Sequence, residues 1–73
     1  MESMIYKTVF EKTSTGWSAY APDLPGLGVA GASFEATKVL IREGIAFHLE
    51  GLLADGEAVP EPTTRVARMP ISA

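Results

Sequence analysis

The stretch that decides the fold spans residues 17–26 and reads WSAYAPDLPG. Its first half alternates between the two sides of an extended chain, with the period of two that is typical of a β-strand. Its second half contains two prolines, which have no backbone N–H to donate to a sheet. The Pro-Gly pair fits the central positions of a type II turn, whose second central residue needs a positive φ. We therefore predict a strand over residues 17–21 that stops at a tight turn made of Pro22, Asp23, Leu24, Pro25 and Gly26.

A second strand is predicted before this stretch. Residues 4–11 alternate with period two, and the polar segment 12–16, which ends in glycine, separates them from Trp17. Since a short polar connection of this kind joins neighbouring antiparallel strands, the pair is predicted to form a hairpin. Beyond the turn, residues 27–32 predict a third strand, in which Gly28 and Gly31 mark a bulge or a close approach of the backbone.

A single helix is predicted after the third strand. Ser33 is a favourable N-cap, and Glu35 lies in the first turn, where the helix dipole stabilises a carboxylate. Asp55 and Gly56 predict a left-handed stop, so the helix spans residues 34–54. With about 100° of rotation per residue, one stripe of this helix faces the sheet, namely Thr37, Ile41, Gly44, Ile45, His48 and Leu52.

The chain is expected to be extended after the helix. Pro60 and Pro62 favour a polyproline-like conformation over residues 57–64. Residues 65–71 could then add a last strand, which Pro70 weakens. The predicted fold class is α+β, a single domain with a small antiparallel sheet of three to four strands and one packed helix, in the order β-β-β-α-β.

Apolar side chains are more abundant on the helix than one small sheet can cover. Two flank the stripe on one side, one flanks it on the other, and two more lie among the charged residues. The hairpin adds aromatic area, and aromatic side chains are enriched where proteins meet, although a thin core could also absorb them. We therefore predict a homo-oligomer, a dimer or higher, whose candidate partner or self-interface residues are Tyr6, Phe10, Trp17, Tyr20, Leu40, Phe47, Leu49 and Leu53.

Composition excludes several classes of function. The 73-residue chain has no cysteine and one histidine, which rules out a disulfide framework and a thiolate zinc site. Its net charge is −3 and its six basic residues are scattered, so we predict no direct binding to nucleic acid. No apolar run is long enough to span a membrane and residues 1–3 do not begin a signal peptide, so a cytoplasmic location is expected. The absence of Asn, Gln and Cys fits either a thermophilic source or a compositional bias of the genome.

Few residues are suited to carry chemistry. His48, the one histidine, lies in the apolar stripe of the helix, where it is a poor general base or ligand. Most carboxylates lie on the exposed helix face, and Asp23 is expected to accept hydrogen bonds from turn amides. Gly26, Gly28 and Gly31 match the order G-x-G-x-x-G, but the chain offers no parallel strand pair for a nucleotide. We predict no catalytic residue, no cofactor and no metal.

The order of these motifs resembles the HicB-like antitoxin family of bacterial type II toxin–antitoxin systems. The resemblance covers residues 4–62 and rests on the A-P-D-L-P-G turn, the helix opened by Ser33 with Glu35, and the D-G-E-x-x-P-x-P exit at 55–62. It implies a truncated ribonuclease H-like fold without the acidic metal cluster of that enzyme. Many members carry a C-terminal DNA-binding segment, which residues 65–73 are expected to be too short to supply.

The resemblance implies that the protein binds and neutralises a small toxin that cleaves messenger RNA. The first hypothesis is therefore a non-catalytic, antitoxin-like binding module that covers the active site of a small basic toxin through apolar anchors and an acidic rim. One alternative is a self-assembling structural domain without a toxin partner. The other is a remnant metal-dependent nuclease that uses Asp23 and a divalent ion.

Overall fold

The computed structural model describes residues 4–72, so the expectation about a signal peptide at residues 1–3 lies outside the described chain. Three strands, β1 (Val9–Lys12), β2 (Trp17–Tyr20) and β3 (Gly28–Gly31), precede the helix α1 (Phe34–Ala54). The sheet is antiparallel in the order β1-β2-β3. This arrangement confirms the predicted α+β fold, and the bounds of the helix agree with the prediction.

The hairpin is shorter on its first side than the sequence predicted. Val9 pairs with Tyr20 and Lys12 pairs with Trp17, and the Thr13 N–H closes the connection by donating to the Gly16 carbonyl at 2.9 Å. Residues 4–8 lie before β1 and carry no strand pairing, because β2 stops at Tyr20 and leaves them no partner. The strand predicted over residues 4–11 is therefore correct only in its second half.

Two successive hydrogen-bonded turns end β2. The Leu24 N–H donates to the Ala21 carbonyl at 2.9 Å, and the Leu27 N–H donates to the Leu24 carbonyl at 3.3 Å. In the second turn Gly26 has a φ of 86°, as the type II geometry requires. The Leu24 side chain is fully buried, so the turn is fixed to the core as well as by its own hydrogen bonds.

Both ends of α1 are capped as predicted. The Ser33 hydroxyl oxygen accepts a hydrogen bond from the Ala36 N–H at 3.1 Å. At the other end Gly56 has a φ of 72°, and its N–H donates to the Leu53 carbonyl at 3.1 Å. The Glu57 N–H donates to the Leu52 carbonyl at 2.9 Å, which completes a Schellman motif.

The core between α1 and the sheet is small. Its buried apolar side chains are Ala19, Ala21, Leu24 and Ile41, joined by Thr37, whose hydroxyl donates to the Ser33 carbonyl at 2.7 Å. The stripe predicted to face the sheet is buried or half-buried throughout, since α1 packs on β2 and β3.

One of the two glycines in β3 marks a close approach of the backbone. A Cβ added to Gly31 would stand 2.6 Å from the Thr37 hydroxyl oxygen, so the helix could not lie this near the sheet with any larger residue there. Gly28 pairs with Tyr20 in a continuous ladder and forms no bulge.

The segment after the helix corrects one prediction. The structure shows no helix or strand over residues 57–72, so the last strand predicted over residues 65–71 is wrong. Pro70 cannot donate to a ladder, and every residue from 65 to 72 is exposed. The radius of gyration is 14.1 Å, whereas a compact chain of this length would have about 11 Å. The described chain extends 48 Å along its longest axis, so a projecting tail, defined here as residues 65–72, lengthens the molecule.

Candidate interaction surfaces

The flank of α1 beside the β2–β3 connection carries an open groove that is mostly apolar but includes two carboxylates, and it is called the acidic groove below. Its volume is about 340 Å³. The floor comes from Leu27 and from two glycines of α1, Gly44 and Gly51, which lie seven residues apart on one flank of the helix. A Cβ added to Gly51 would meet no atom within 4 Å, so this part of the groove is open space. The remaining lining residues are Phe47, His48, Leu52, Asp55 and Glu57.

Phe47 is the most unusual member of this groove. Its side chain is 80% exposed, although burying a phenylalanine side chain is worth about 1.5–3 kcal/mol relative to leaving it in water. The chain around it is strongly acidic, because residues 43–57 contain four carboxylates and neither lysine nor arginine. Two of those carboxylates, on Asp55 and Glu57, lie at the end of the groove. The groove therefore suits a ligand that is apolar and positively charged.

The opposite flank of α1 carries a smaller groove of about 220 Å³ with basic walls. Because the helix packs on β2 and β3, a gap remains between it and β1. Lys38 and Arg42 border this gap, and its apolar floor contains Phe10, Ile41 and Ile45. The two flanks of one helix thus present opposite charge.

The outward face of α1, which points away from the sheet, is exposed throughout. Its apolar members are Val39 at 48% and Leu53 at 67% exposure, and its charged members include Glu43 and Glu50. Leu40 lies between this face and the acidic groove at 40% exposure, and Leu49 is half-buried. The surplus of apolar surface predicted for the helix is therefore present.

The three predicted aromatic residues that lie in the strands divide between the two faces of the sheet. Phe10 and Trp17 lie on the helix side of the sheet and pack against Phe34, with ring centroids 4.6 Å and 5.4 Å away. The Lys12 ammonium lies 5.4 Å from the centroid of the Trp17 ring. Tyr20 lies on the opposite, open sheet face and is 42% exposed. Sequence reasoning gave Phe34 no role, although an apolar residue directly after an N-cap was the available signal.

Asp23 connects the turn to the C-terminal segment. Its carboxylate accepts hydrogen bonds from the Thr64 N–H at 3.0 Å, the Thr64 hydroxyl at 2.8 Å and the Thr63 hydroxyl at 3.1 Å. These bonds, led by the one from the Thr64 backbone, hold the pKa of Asp23 below its ordinary value. The expected partners, amides of the turn itself, are therefore wrong, because the chain returns to this carboxylate forty-one residues later.

Tyr6 makes a second connection to the same segment. Its hydroxyl donates to the Pro60 carbonyl at 2.5 Å. Partial burial, together with the nearby carboxylates of Glu61 and Asp23, raises the pKa of the Tyr6 phenol. Tyr6, a predicted interface residue, therefore contributes its hydroxyl to holding the segment that follows the helix.

Comparison with known proteins gives the family. The protein-family model for the HicB-like antitoxin of bacterial toxin–antitoxin systems matches residues 6–70. The chain belongs to this family. It is also similar to an uncharacterised 14.9 kDa protein from the rep-hol intergenic region of Haemophilus phage HP1, with 36% identity over 58 residues. That match covers 80% of this chain and 44% of the phage protein, so the chain spans less than half the length of its relative. No solved structure gives a significant match.

The matched region of this HicB-like chain includes both grooves and both connections to the C-terminal segment. Over residues 4–72 the structure contains no group of three or more His, Asp or Glu side chains placed to hold a metal ion. Both carboxylate oxygens of Asp23 are already engaged by Thr63 and Thr64. Within the same range, α1 lacks the length of uncharged apolar sequence that crossing a bilayer would require.

Proposed function

We propose that this HicB-like protein is a non-catalytic antitoxin that neutralises a small, basic, RNA-cleaving toxin by covering its active site. The family match over residues 6–70 is the observation that carries the proposal. A protein that cleaves RNA must attract a phosphate backbone and therefore presents clustered positive charge. An antitoxin with a net charge of −3 has the sign needed to compete for that surface.

The outward face of α1 is the surface we assign to the toxin. Val39 and Leu53 supply exposed apolar anchors, and Glu43 and Glu50 stand beside them as exposed carboxylates. Apolar anchors surrounded by charged residues are the usual composition of a protein interface, with the anchors giving affinity and the charges giving orientation and rate. The open face of the sheet has fewer such groups, since Tyr20 is its one exposed aromatic residue among the described strands.

The test is inhibition of RNA cleavage by a small basic protein encoded beside this gene. We expect an equimolar amount of the antitoxin to stop cleavage, and the variant Glu50→Lys to need a higher concentration for the same inhibition. Glu11→Lys is the matched control, because it makes the same charge change at an exposed position of β1. A loss of inhibition in Glu11→Lys with full inhibition in Glu50→Lys would place the toxin on the sheet face instead.

The same assay tests the absence of catalysis. The protein alone is expected to leave RNA intact with and without magnesium. Reproducible cleavage that disappears in Asp23→Ala would overturn the proposal in favour of a metal-dependent nuclease.

A further inference from the structure

The tail is a segment of the described chain whose chemistry matches the acidic groove. Its large apolar residues are mostly exposed to water, with Val66 at 65%, Met69 at 74% and Ile71 at 81% exposure. Its charges are both positive, from Arg65 and Arg68, and it contains no carboxylate side chain. The groove offers the exposed Phe47 ring to the apolar side chains of the tail. It offers the carboxylates of Asp55 and Glu57 to the positive charges of the tail.

The groove and the apolar part of the tail also have similar lengths. The groove runs along α1 from Gly44 to Asp55, which is about 16 Å at 1.5 Å per helical residue. The apolar part of the tail runs from Val66 to Ile71, which is also about 16 Å at 3.3 Å per extended residue. An extended tail can therefore lie along the full groove, with Met69 and Ile71 on the side that faces it and Arg65 near one end.

We infer that the acidic groove is the docking site for the tail of a second copy of this chain, so that the protein forms a dimer with exchanged tails. Within one chain the tail contacts nothing that buries it, since every residue from 65 to 72 is exposed. In a two-fold dimer each groove receives the tail of the other copy, which fills both grooves and leaves no further site open. This assembly is independent of the toxin and involves a different side of α1 from the outward face.

The connections at the start of the tail favour this exchange. Thr63 and Thr64 are held by Asp23, so the tail leaves the body from a fixed point. A segment that is anchored at its base loses less conformational freedom on docking than a free peptide would lose. The connection thus holds Arg65 and the residues after it in position to meet a neighbouring chain.

Sedimentation equilibrium of the full chain is the first test. We expect a mass of twice 7.8 kDa at micromolar concentration. Met69→Ser combined with Ile71→Ser is expected to weaken dimerisation about tenfold or more, because these side chains lose their buried contacts. Val39→Ser is the matched control, since it removes an exposed apolar side chain on the outward face and is expected to leave the dimer unchanged. A wild-type monomer throughout, or a dimer unaffected by the tail variant, would overturn the inference.

A groove variant separates assembly from folding. Gly51→Gln places a neutral side chain in the open part of the groove and replaces a glycine inside a helix with a better helix former. The variant is expected to keep the circular dichroism spectrum of the folded chain while its dimerisation weakens. Undiminished dimerisation in the folded variant would show that the groove is not the docking site.

Cysteine pairing distinguishes a neighbouring tail from the chain's own. The natural chain has no cysteine, so the introduced thiols are the only ones that can form a disulfide. Met69→Cys and Phe47→Cys, made in separate chains and mixed, are expected to form the 69–47 mixed disulfide in preference to either symmetric one. If the chain that carries both changes forms that bond within a monomer, the tail docks on its own groove and the exchange is refuted.

Discussion

Gly26 shows how a single residue fixes the course of the chain. Its φ of 86° lies in the left-handed region, where any residue with a Cβ is strained. A Cβ at this position would meet no atom within 4 Å, so the strain comes from the backbone alone. The turn is thus determined by conformational preference, and its sequence signal is local enough to be recognised without a structure.

Replacing Gly26 by valine should therefore lower the free energy of unfolding by roughly 1 to 3 kcal/mol. Gly28→Val is the matched control, because Gly28 has no positive φ and lies in a strand, where valine is favoured. Urea denaturation followed by Trp17 fluorescence measures both variants. Equal stability of the two would mean that the turn does not depend on a positive φ.

Asp23 gives the protein a predictable response to acid. Because its pKa is lower in the folded state than its ordinary value of 3.8, its contribution to stability is fully present above that ordinary value. The contribution is lost as the pH falls through the lowered, folded-state pKa. Asp23→Asn should therefore lower the melting temperature near neutral pH, and this difference from the natural protein should shrink steadily as the pH falls below 3.8.

Glu11→Gln is the control for this experiment. It removes an exposed carboxylate of β1 for which the described structure gives no hydrogen bond. Its melting temperature should follow that of the natural protein across the whole pH range. A difference for Asp23→Asn that stays constant from neutral pH into the acid range would show that the carboxylate does not titrate between the folded and unfolded states as proposed.

At the scale of the element, α1 was the easiest part to predict and β1 the hardest. The ends of the helix are set by local residues, since Ser33 and Gly56 act on neighbouring backbone groups. The length of β1 depends on where its partner strand β2 stops. The alternating pattern of residues 4–8 carries no information about that position. The missing last strand and the partners of Asp23 have the same cause, because both depend on where a distant segment lies.

Two glycines near the end of α1, Gly51 and Gly56, should change the stability in opposite directions when each is replaced by alanine. Gly56→Ala should cost on the order of 1 kcal/mol, since alanine is strained at a φ of 72°. Gly51→Ala, inside the helix and with open space around its Cβ, should raise the stability by about 0.5–1 kcal/mol. Both are measured by urea denaturation at a concentration low enough to keep the chain monomeric. The reverse order would mean that the helix ends at Gly51.

At the scale of the whole molecule, the candidate surfaces arise because the sheet is too small to cover the helix. One helix of twenty-one residues meets three strands of four residues each, so much of its circumference has no partner within the chain. Sequence reasoning anticipated this surplus from the number of apolar positions. The two grooves of opposite charge could not be predicted in the same way, because they depend on α1 packing on β2 and β3.

The segment between the helix and the tail should contribute to the stability of the fold. A chain ending at Ala58 loses the hydrogen bonds from Tyr6 to Pro60 and from Thr63 and Thr64 to Asp23. Its melting temperature should fall by about 4 °C or more, since 1 kcal/mol corresponds to 4–8 °C in a domain of this size. A chain ending at Thr64 keeps these bonds and, measured as a monomer, should melt near the natural value. Equal melting temperatures for the two truncations would show that the connections are not stabilising.

The bond between Asp23 and Thr64 also sets an order of events during folding. The hairpin, the third strand and the helix each pack on a neighbour in sequence, so they form through short loop closures, which are fast. Closing the loop from residue 23 to residue 64 spans forty-one residues and requires the segment after the helix to return to the turn. During refolding the sheet and helix can therefore assemble before residues 63 and 64 reach the turn, and the carboxylate of Asp23 remains solvated until they arrive.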